Sequence, residues 1–85
     1  MDVTILYFAS LREAIGLSEE RVRLPPSVRT AADVIAWLVQ SGPHYAAAFS
    51  DFERLRCAVD QGVVPMNSLI ESAQEIAFFP PVTGG

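Results

Sequence analysis

The sequence predicts a small α+β domain in which helices cover one face of a sheet. Three observations predict this class. The 85 residues are 51% hydrophobic, which suits one packed domain near the lower size limit for independent folding. Short apolar runs typical of strands are interleaved with segments of helical periodicity. The resulting order, β-α-β-α-β-β-β, is compatible with a sheet whose helices share one face.

The first half of the chain begins with a predicted central strand at residues 3–8, because apolar side chains occupy both alternating sets. Ser10 and Glu13 have the spacing of a capping box, which predicts a short helix after this strand. Gly16 is suited to end that helix in the left-handed conformation. Residues 19–24 alternate between charged and apolar side chains, so a half-buried strand is expected there.

A second helix is predicted to begin at Thr30, which is a favoured N-cap residue with Asp33 three positions later. Gly42 and Pro43 should end it. The residues expected on its buried face are Val34, Trp37 and Leu38, with Ala31 and Ile35 beside them. Residues 43–49 could form a further short helix, to which Tyr45, Phe49 and Phe52 would add apolar cover.

The second half predicts three more strands. Residues 55–59 alternate as a strand, residues 60–62 carry a turn signal, and residues 63–64 form a short run that Pro65 ends. Leu69 and Ile70 are expected to pack in the connection that follows.

The last predicted strand covers residues 75–79. Ile76 and Phe78 should face one way, and Ala77 and Phe79 the other. Phe79 precedes two prolines on the side away from Ile76 and Phe78. We interpret it as a partner-binding residue; the alternative is that both faces of the sheet are covered and Phe79 is ordinary core.

Composition excludes several classes of function. The net charge is −4, and all six basic residues are arginines that form no cluster, so nucleic acid is not an expected partner. His44 is the single histidine, and no other ligand is spaced to build a metal site with it. Its place beside Gly42 and Pro43 predicts a solvated loop residue.

The single cysteine, Cys57, cannot form an internal disulfide and alternates with apolar neighbours, so it is predicted to be a buried structural residue in a reducing compartment. No apolar stretch approaches the roughly 20 residues of a membrane span. The first residues lead into a strand without a targeting signal. We therefore expect a cytoplasmic protein without a membrane partner.

The final residues carry the functional signal. Pro80 and Pro81 cannot continue a central ladder and should lead the chain out extended. Residues 80–85 could reach roughly 20 Å, and Gly84 and Gly85 leave the tip narrow enough to pass through a tunnel. Its carboxylate is a poor electrophile, so chemistry there needs activation, for which an acyl adenylate made from ATP is the obvious route.

The sequence at residues 75–85, EIAFFPPVTGG, closely resembles the C-terminus of the molybdopterin synthase small-subunit family. Residues 6–13, LYFASLRE, are similar to that family's first strand and helix, and the resemblance covers essentially the whole chain. One departure is Ala73-Gln74, where the family usually has a Gly-Asp turn. The resemblance implies a ubiquitin-like β-grasp with a mixed sheet, helices on one face and a free Gly-Gly tail. Residues 1–85 would be one domain, with residues 80–85 as its functional tail.

The resemblance also implies a role as a sulfur carrier in molybdenum cofactor synthesis. An adenylyltransferase related to ubiquitin-activating enzymes would use ATP to adenylate Gly85, and a sulfur donor protein would convert it to a thiocarboxylate (1-thioglycine). The carrier binds no cofactor itself. The tail would enter the large subunit of molybdopterin synthase and donate sulfur to cyclic pyranopterin monophosphate. The docking residues would be Phe79, Pro80, Pro81 and Val82, and the tunnel segment would be Thr83 and Gly84.

Other readings of the tail stay open. The chain could carry sulfur to another acceptor, as in thiamine or cysteine synthesis, although the FFPP stretch favours the first reading. It could be a ubiquitin-like modifier whose Gly85 forms isopeptide bonds with target proteins. It could also be an interaction domain with an idle tail. No catalytic constellation is present in the sequence, so we expect the catalytic pocket to belong to the partner and not to this chain.

Overall fold

The computed structural model describes residues 1–81, so four predicted site residues, Val82, Thr83, Gly84 and Gly85, lie outside the described residues. The elements in chain order are β1 (Asp2–Tyr7), α1 (Ser10–Ile15), β2 (Glu19–Arg23), α2 (Ala31–Ser41), α3 (Pro43–Ala48), a 3-10 turn (Phe52–Arg54), β3 (Arg56–Val59), β4 (Gly62–Val64) and β5 (Glu75–Phe79). The predicted order of strands and helices is confirmed, including the short helix after Gly42.

Within residues 1–81 the strands form one mixed sheet in the order β2-β1-β5-β3-β4. The pairing of β1 with β5 is parallel, and the other pairings are antiparallel. The last strand along the chain is therefore the middle strand of the sheet. As a result, the segment that follows Phe79 leaves from the centre of the sheet, with β1 on one side and β3 on the other.

The core lies on one face of the sheet, under the helices. Val3, Ile5 and Tyr7 of β1 are at most 1% exposed, and Ile76 and Phe78 of β5 are fully buried beside them. Helix residues that complete this core include Leu11, Ile15, Val34, Ile35 and Leu38. Burial of this apolar surface is the main force that holds helices and sheet together. We call the opposite side of the sheet the outer face.

The prediction that β1 is buried on both faces is wrong. Thr4 and Leu6, which alternate with the core residues, are only half-buried, and Phe8 lies beyond the end of β1 with 47% of its surface exposed. The hydrophobic run looked like a strand covered on both sides, but the helices pack against one face only. The outer face is therefore left with apolar side chains that no element covers in the described part of the chain.

Three of the four predicted helix ends are confirmed, including the end of α2 at Ser41 before Gly42. The Asp33 N–H donates to the Thr30 hydroxyl at 3.1 Å, and the Thr30 N–H donates to the Asp33 carboxylate at 3.2 Å, so the predicted capping box begins α2. Gly16 ends α1 with φ +85°, as predicted. The capping box at Ser10 is wrong, because Ser10 is already the first helical residue and Ala9 is the N-cap, without a side-chain hydrogen bond.

The turn between β3 and β4 also contacts the beginning of β5. Asp60 and Gln61, with φ of +49° and +75°, form the two-residue turn between β3 and β4, as a hairpin of the type I′ class requires. The Asp60 carboxylate accepts the N–H groups of Gln74 and Glu75 at 2.9 and 3.0 Å. This chain has Ala73-Gln74 where the Gly-Asp turn was expected. The backbone at the start of β5 is instead bound by Asp60 of the neighbouring hairpin.

Three side chains are more exposed to solvent than the sequence predicted. Leu69 is 57% exposed and Phe52 is 38% exposed, so neither adds the expected cover, whereas Ile70 is buried as predicted. Trp37 is half-buried and packs against the edge of the core.

The structure places His44 in α3, and not in a loop, with its side chain exposed. No helix in residues 1–81 has the length and apolar character needed to span a membrane.

A partly buried polar cluster joins β1, β2 and α3. The hydroxyls of Tyr7 and Tyr45 donate to the same oxygen of the Glu20 carboxylate, at 2.7 and 2.6 Å. Tyr7 is 1% exposed and Tyr45 is 8% exposed. Burial, followed by the hydrogen bond to Glu20, raises the pKa of Tyr45 to about 12, and the same causes raise the pKa of Tyr7 further.

The raised pKa values of Tyr7 and Tyr45 predict that the folded protein is less stable at alkaline pH. Unfolded tyrosine ionises near pH 10, whereas folded Tyr7 and Tyr45 keep their protons above that pH, so the unfolded state binds fewer protons there. The stability that Tyr45 contributes is fully present below about pH 10 and is lost as the pH rises to about 12. The contribution of Tyr7 falls from about pH 10 as well and continues to fall at higher pH. Denaturant midpoints measured between pH 8 and pH 11 should fall at the upper end. The raised pKa of Cys57 acts in the same direction, so Cys57→Ala serves as the background. A midpoint that stays constant in that background would contradict the prediction.

Candidate docking and tail site

The root of the tail lies at the end of the middle strand. Phe79 is the last residue of β5, and Phe79, Pro80 and Pro81 are all half-buried. Phe79 pairs with Arg56 of β3. It is not part of the buried core cluster, which contains Ile76 and Phe78 from the same strand. Phe79 therefore lies on the outer face, and its role in partner binding stays a prediction.

A shallow groove of about 230 Å³ adjoins the tail root. Pro80 and Pro81 form one wall, and Ser10, Ala48 and Arg54 lie on the walls formed by α1, α3 and the 3-10 turn. Arg54 is held by an exposed ion pair with Asp51, 3.7 Å between Nε and the carboxylate. The groove therefore has both apolar and polar walls and lies on the helical side of the sheet.

Phe8 lies next to the tail root, although the sequence analysis did not single it out. The Phe8 N–H donates to the carbonyl of Phe78 at 3.3 Å, which continues the pairing of β1 and β5 by one residue. Phe8 follows the inward-facing Tyr7, so its side chain belongs to the outer face beside Phe79. The alternation within residues 3–8 could have shown this, had the outer face been recognised as uncovered.

Cys57 lies in the core, as the sequence predicts. It is fully buried, and its thiol is 3.3 Å from the carbonyl oxygen of Val64. Burial raises the pKa of the thiol, so the reactive thiolate is disfavoured at neutral pH. The structure gives this residue a packing role in the described part of the chain.

Cys57→Ala should lower the free energy of unfolding by about 0.5–1.5 kcal/mol, the cost of removing one buried methyl-sized group. Sulfur loading at the tail should be unchanged, because the thiol is buried and protonated. Denaturant unfolding measures the first effect, and intact mass after a loading reaction measures the second. A folded variant that can no longer be loaded would give Cys57 a chemical role.

No group of three or more acidic, histidine or cysteine side chains in residues 1–81 is arranged to hold a metal ion. The described site therefore consists of a strand end, two prolines, an adjoining groove and exposed aromatic side chains. Such an arrangement can present a chain end to a partner and bind that partner's surface.

Comparison with known proteins gives matches along nearly the whole chain. Residues 5–85 match the ThiS family. The molybdopterin synthase sulfur carrier subunit of Haemophilus influenzae is 39% identical over 83 residues, which cover 98% of this chain and 99% of that protein. The protein of the same name from Escherichia coli is 33% identical, with 98% and 99% covered.

Solved structures show the same fold. SAMP1 from Haloferax volcanii superposes with a TM-score of 0.77 at 23% identity, covering 100% of both chains. The small archaeal modifier protein 1 from Methanosarcina acetivorans superposes with a TM-score of 0.70 at 23% identity, covering 99% of this chain and 96% of that one. These likenesses concern the fold alone. With the sheet order above, they confirm the ubiquitin-like β-grasp expected from the sequence.

Proposed function

Because the chain belongs to the ThiS family, we propose that it is the sulfur carrier subunit of a molybdopterin synthase, with the sulfur held at Gly85. The observation that carries this proposal is the family match, which runs through Gly85. The names of the relatives from Haemophilus influenzae and Escherichia coli support the choice of pathway. The structure supports it in a second way, since Pro80 and Pro81 follow the middle strand of the sheet.

The proposed chemistry begins with the terminal carboxylate of Gly85. An adenylyltransferase related to ubiquitin-activating enzymes transfers AMP from ATP to this carboxylate, and pyrophosphate leaves. A sulfur donor protein then supplies sulfur at the oxidation level of sulfide, which bonds to the acyl carbon as AMP leaves and gives the thiocarboxylate. Activation is needed because a carboxylate resists nucleophilic attack until its oxygen becomes part of a good leaving group.

The loaded tail then delivers its sulfur inside the large subunit of the synthase. Thr83 and Gly84 pass through the tunnel, and the thiocarboxylate sulfur attacks a carbon of cyclic pyranopterin monophosphate, forming a carbon–sulfur bond as an oxygen substituent leaves that carbon. Water then hydrolyses the resulting thioester, which leaves the sulfur on the pterin and restores the Gly85 carboxylate for the next cycle. The contribution of this chain is to position the sulfur: β5 fixes the tail root, and Pro80 and Pro81 restrict the directions that the tail can take.

Phe79→Ala should weaken binding to the large subunit by roughly 30-fold or more, the effect of truncating a buried aromatic anchor of about 2 kcal/mol. Its position outside the core cluster means that stability should fall much less than for Phe78→Ala, the matched truncation on the core side. Calorimetric titration and melting curves measure the two effects. Unchanged binding with a large loss of stability would assign Phe79 to the core instead.

The direct test of the proposal is the intact mass of the protein after incubation with ATP, the activating enzyme and a sulfur source. We expect the mass change of one oxygen replaced by sulfur, located at Gly85 by fragmentation. The loaded protein, mixed with the large subunit, should convert the pterin precursor to molybdopterin. Failure to load with an enzyme that loads the Escherichia coli relative would count against the proposal.

The loading and conversion assays also distinguish this proposal from the alternative functions of the tail. A carrier for thiamine or cysteine synthesis would load normally but would not support conversion of the pterin precursor. A ubiquitin-like modifier would give a protein-linked adduct through Gly85 in cells. The likeness to archaeal modifier proteins bears on the fold alone, whereas the relatives that are 39% and 33% identical share the synthase name. We therefore favour the synthase.

A further inference from the structure

The groove on the helical side of the sheet begins where the described chain ends. Pro80 and Pro81 form one of its walls, so it opens at the point where residues 82–85 continue the chain. Leu11 and Leu55 also line it and are only 1% and 6% exposed, so they form an apolar floor. Its volume is about 230 Å³, several times the roughly 30 Å³ that a water molecule occupies in the liquid. The groove can therefore take a short stretch of chain.

Two prolines restrict the direction in which the chain leaves β5. The proline ring fixes φ, and it also keeps the residue before it extended. Pro80 and Pro81 are both half-buried, with the groove beside them. A chain that is restricted in this way loses less conformational entropy when it binds than a freely rotating chain does. A contact between the residues after Pro81 and the groove is correspondingly less costly to form.

Arg54 gives the groove a positive charge. Its Nε lies 3.7 Å from the Asp51 carboxylate, and both side chains are 66% exposed, so this ion pair is weak. A guanidinium carries five N–H donors and can bind a second carboxylate beside Asp51. The chain ends in such a group, because the α-carboxylate of Gly85 is ionised at neutral pH. Residues 82–85 span at most about 14 Å, which is enough to bring that group to Arg54 across the adjoining groove.

We propose that residues 82–85 fold back into this groove when no partner is bound, with the terminal carboxylate or thiocarboxylate of Gly85 paired with Arg54. We call this arrangement the resting contact. For the loaded chain the inference rests on the proposed function, whereas for the unloaded chain it does not. The resting contact shields the sulfur from solvent reagents between loading and transfer. A partner that encloses the tail must first displace it, so the apparent affinity falls with the fraction of tails that are free.

Asp51 limits the strength of the resting contact. Its carboxylate competes for Arg54 and repels the negative charge at the end of the tail. Exposed ion pairs change an equilibrium by only about two- to fivefold, so resting and extended tails are both populated and a partner can capture the extended form. Arg54 and Asp51 therefore act in opposite directions on the same equilibrium, which gives the inference a signed test.

The experiment measures nuclear Overhauser contacts between the Val82 methyl groups and the Ala48 methyl group in the unloaded, full-length chain. Ala48 lies on the groove wall. We expect these contacts in the parent, a two- to fivefold loss of their intensity in Arg54→Gln, and a gain in Asp51→Asn. Arg56→Gln is the matched control, because it removes the same charge from an exposed position on β3 that does not line the groove. It should leave the contacts unchanged, and all three variants should melt like the parent.

The loaded protein gives a second measurement. Iodoacetamide alkylates a thiocarboxylate when the sulfur displaces iodide, and the loaded parent should react about two- to fivefold more slowly than loaded Arg54→Gln. A parent without contacts between the tail and Ala48, or equal effects of Arg54→Gln and Arg56→Gln, would overturn the resting contact, while a parent that still loads keeps the sulfur-carrier function. A parent that shows the contacts but cannot be loaded would support the resting contact and overturn the proposed function.

Discussion

Adding a single residue after Gly85 is expected to abolish sulfur transfer. The extension moves the terminal carboxylate by about 3.5 Å and leaves Gly85 with a peptide bond in place of a free carboxylate. Misplacement by 1 Å can cost about a hundredfold in rate, so the loss should be at least that large. The change is outside the described core, and the variant should fold and melt like the parent. Intact mass after the loading reaction, and conversion of the pterin precursor, are the two measurements.

Gly84→Val provides a matched test of the narrow tail. It keeps the free carboxylate at Gly85 but places a branched side chain where the proposal requires backbone width only. We expect loading or transfer to fail, again with an unchanged melting temperature. Full turnover by the extended protein, without removal of the added residue, would show that the terminal carboxylate is not the reacting group. The protein would then be interpreted as an interaction domain with an idle tail, and not as a sulfur carrier.

Glu20→Ala is expected to destabilise the fold by roughly 2–5 kcal/mol. The hydroxyls of Tyr7 and Tyr45, two residues that are otherwise buried, donate to this one carboxylate, and each donor left without an acceptor costs about 1–3 kcal/mol. Because small domains are stable by only about 5–15 kcal/mol, the loss should be evident in denaturant unfolding. The loosened contact is one of those that join α3 to the sheet, and α3 forms part of the groove beside Pro80 and Pro81.

Glu19→Ala is the control for this prediction. Glu19 is the neighbouring residue on β2, with its side chain on the exposed outer face, and its replacement should change stability by no more than about 0.5 kcal/mol. Glu20→Gln, which keeps an acceptor oxygen, should lie between the two. Equal stability of the Glu19 and Glu20 variants would show that the tyrosine hydroxyls find other acceptors and that the cluster contributes little.

The sequence by itself determined the elements and the tail. Local chemistry decides these features: the capping pair Thr30 and Asp33 begins α2, Gly16 ends α1, and Pro80 ends the last strand. The resemblance at residues 75–85 gave the fold and the function that the comparisons support, because the chemistry is carried by a short contiguous segment. Features of this kind depend on neighbours in the chain and can be read from it.

Tertiary structure decided which apolar residues are covered. Phe8 and Leu69 look as hydrophobic in the sequence as Ile5 and Ile70, but the helices pack on one side of the sheet only, so Phe8 remains exposed. The apolar residues of the outer face come from four strands that are distant along the chain, and only strand order and register bring them together. In the sequence Glu20 is one charged residue in an alternating strand, but in the fold the hydroxyls of Tyr7 and Tyr45 both donate hydrogen bonds to it. Burial and register are properties of the packed sheet, which local sequence does not specify.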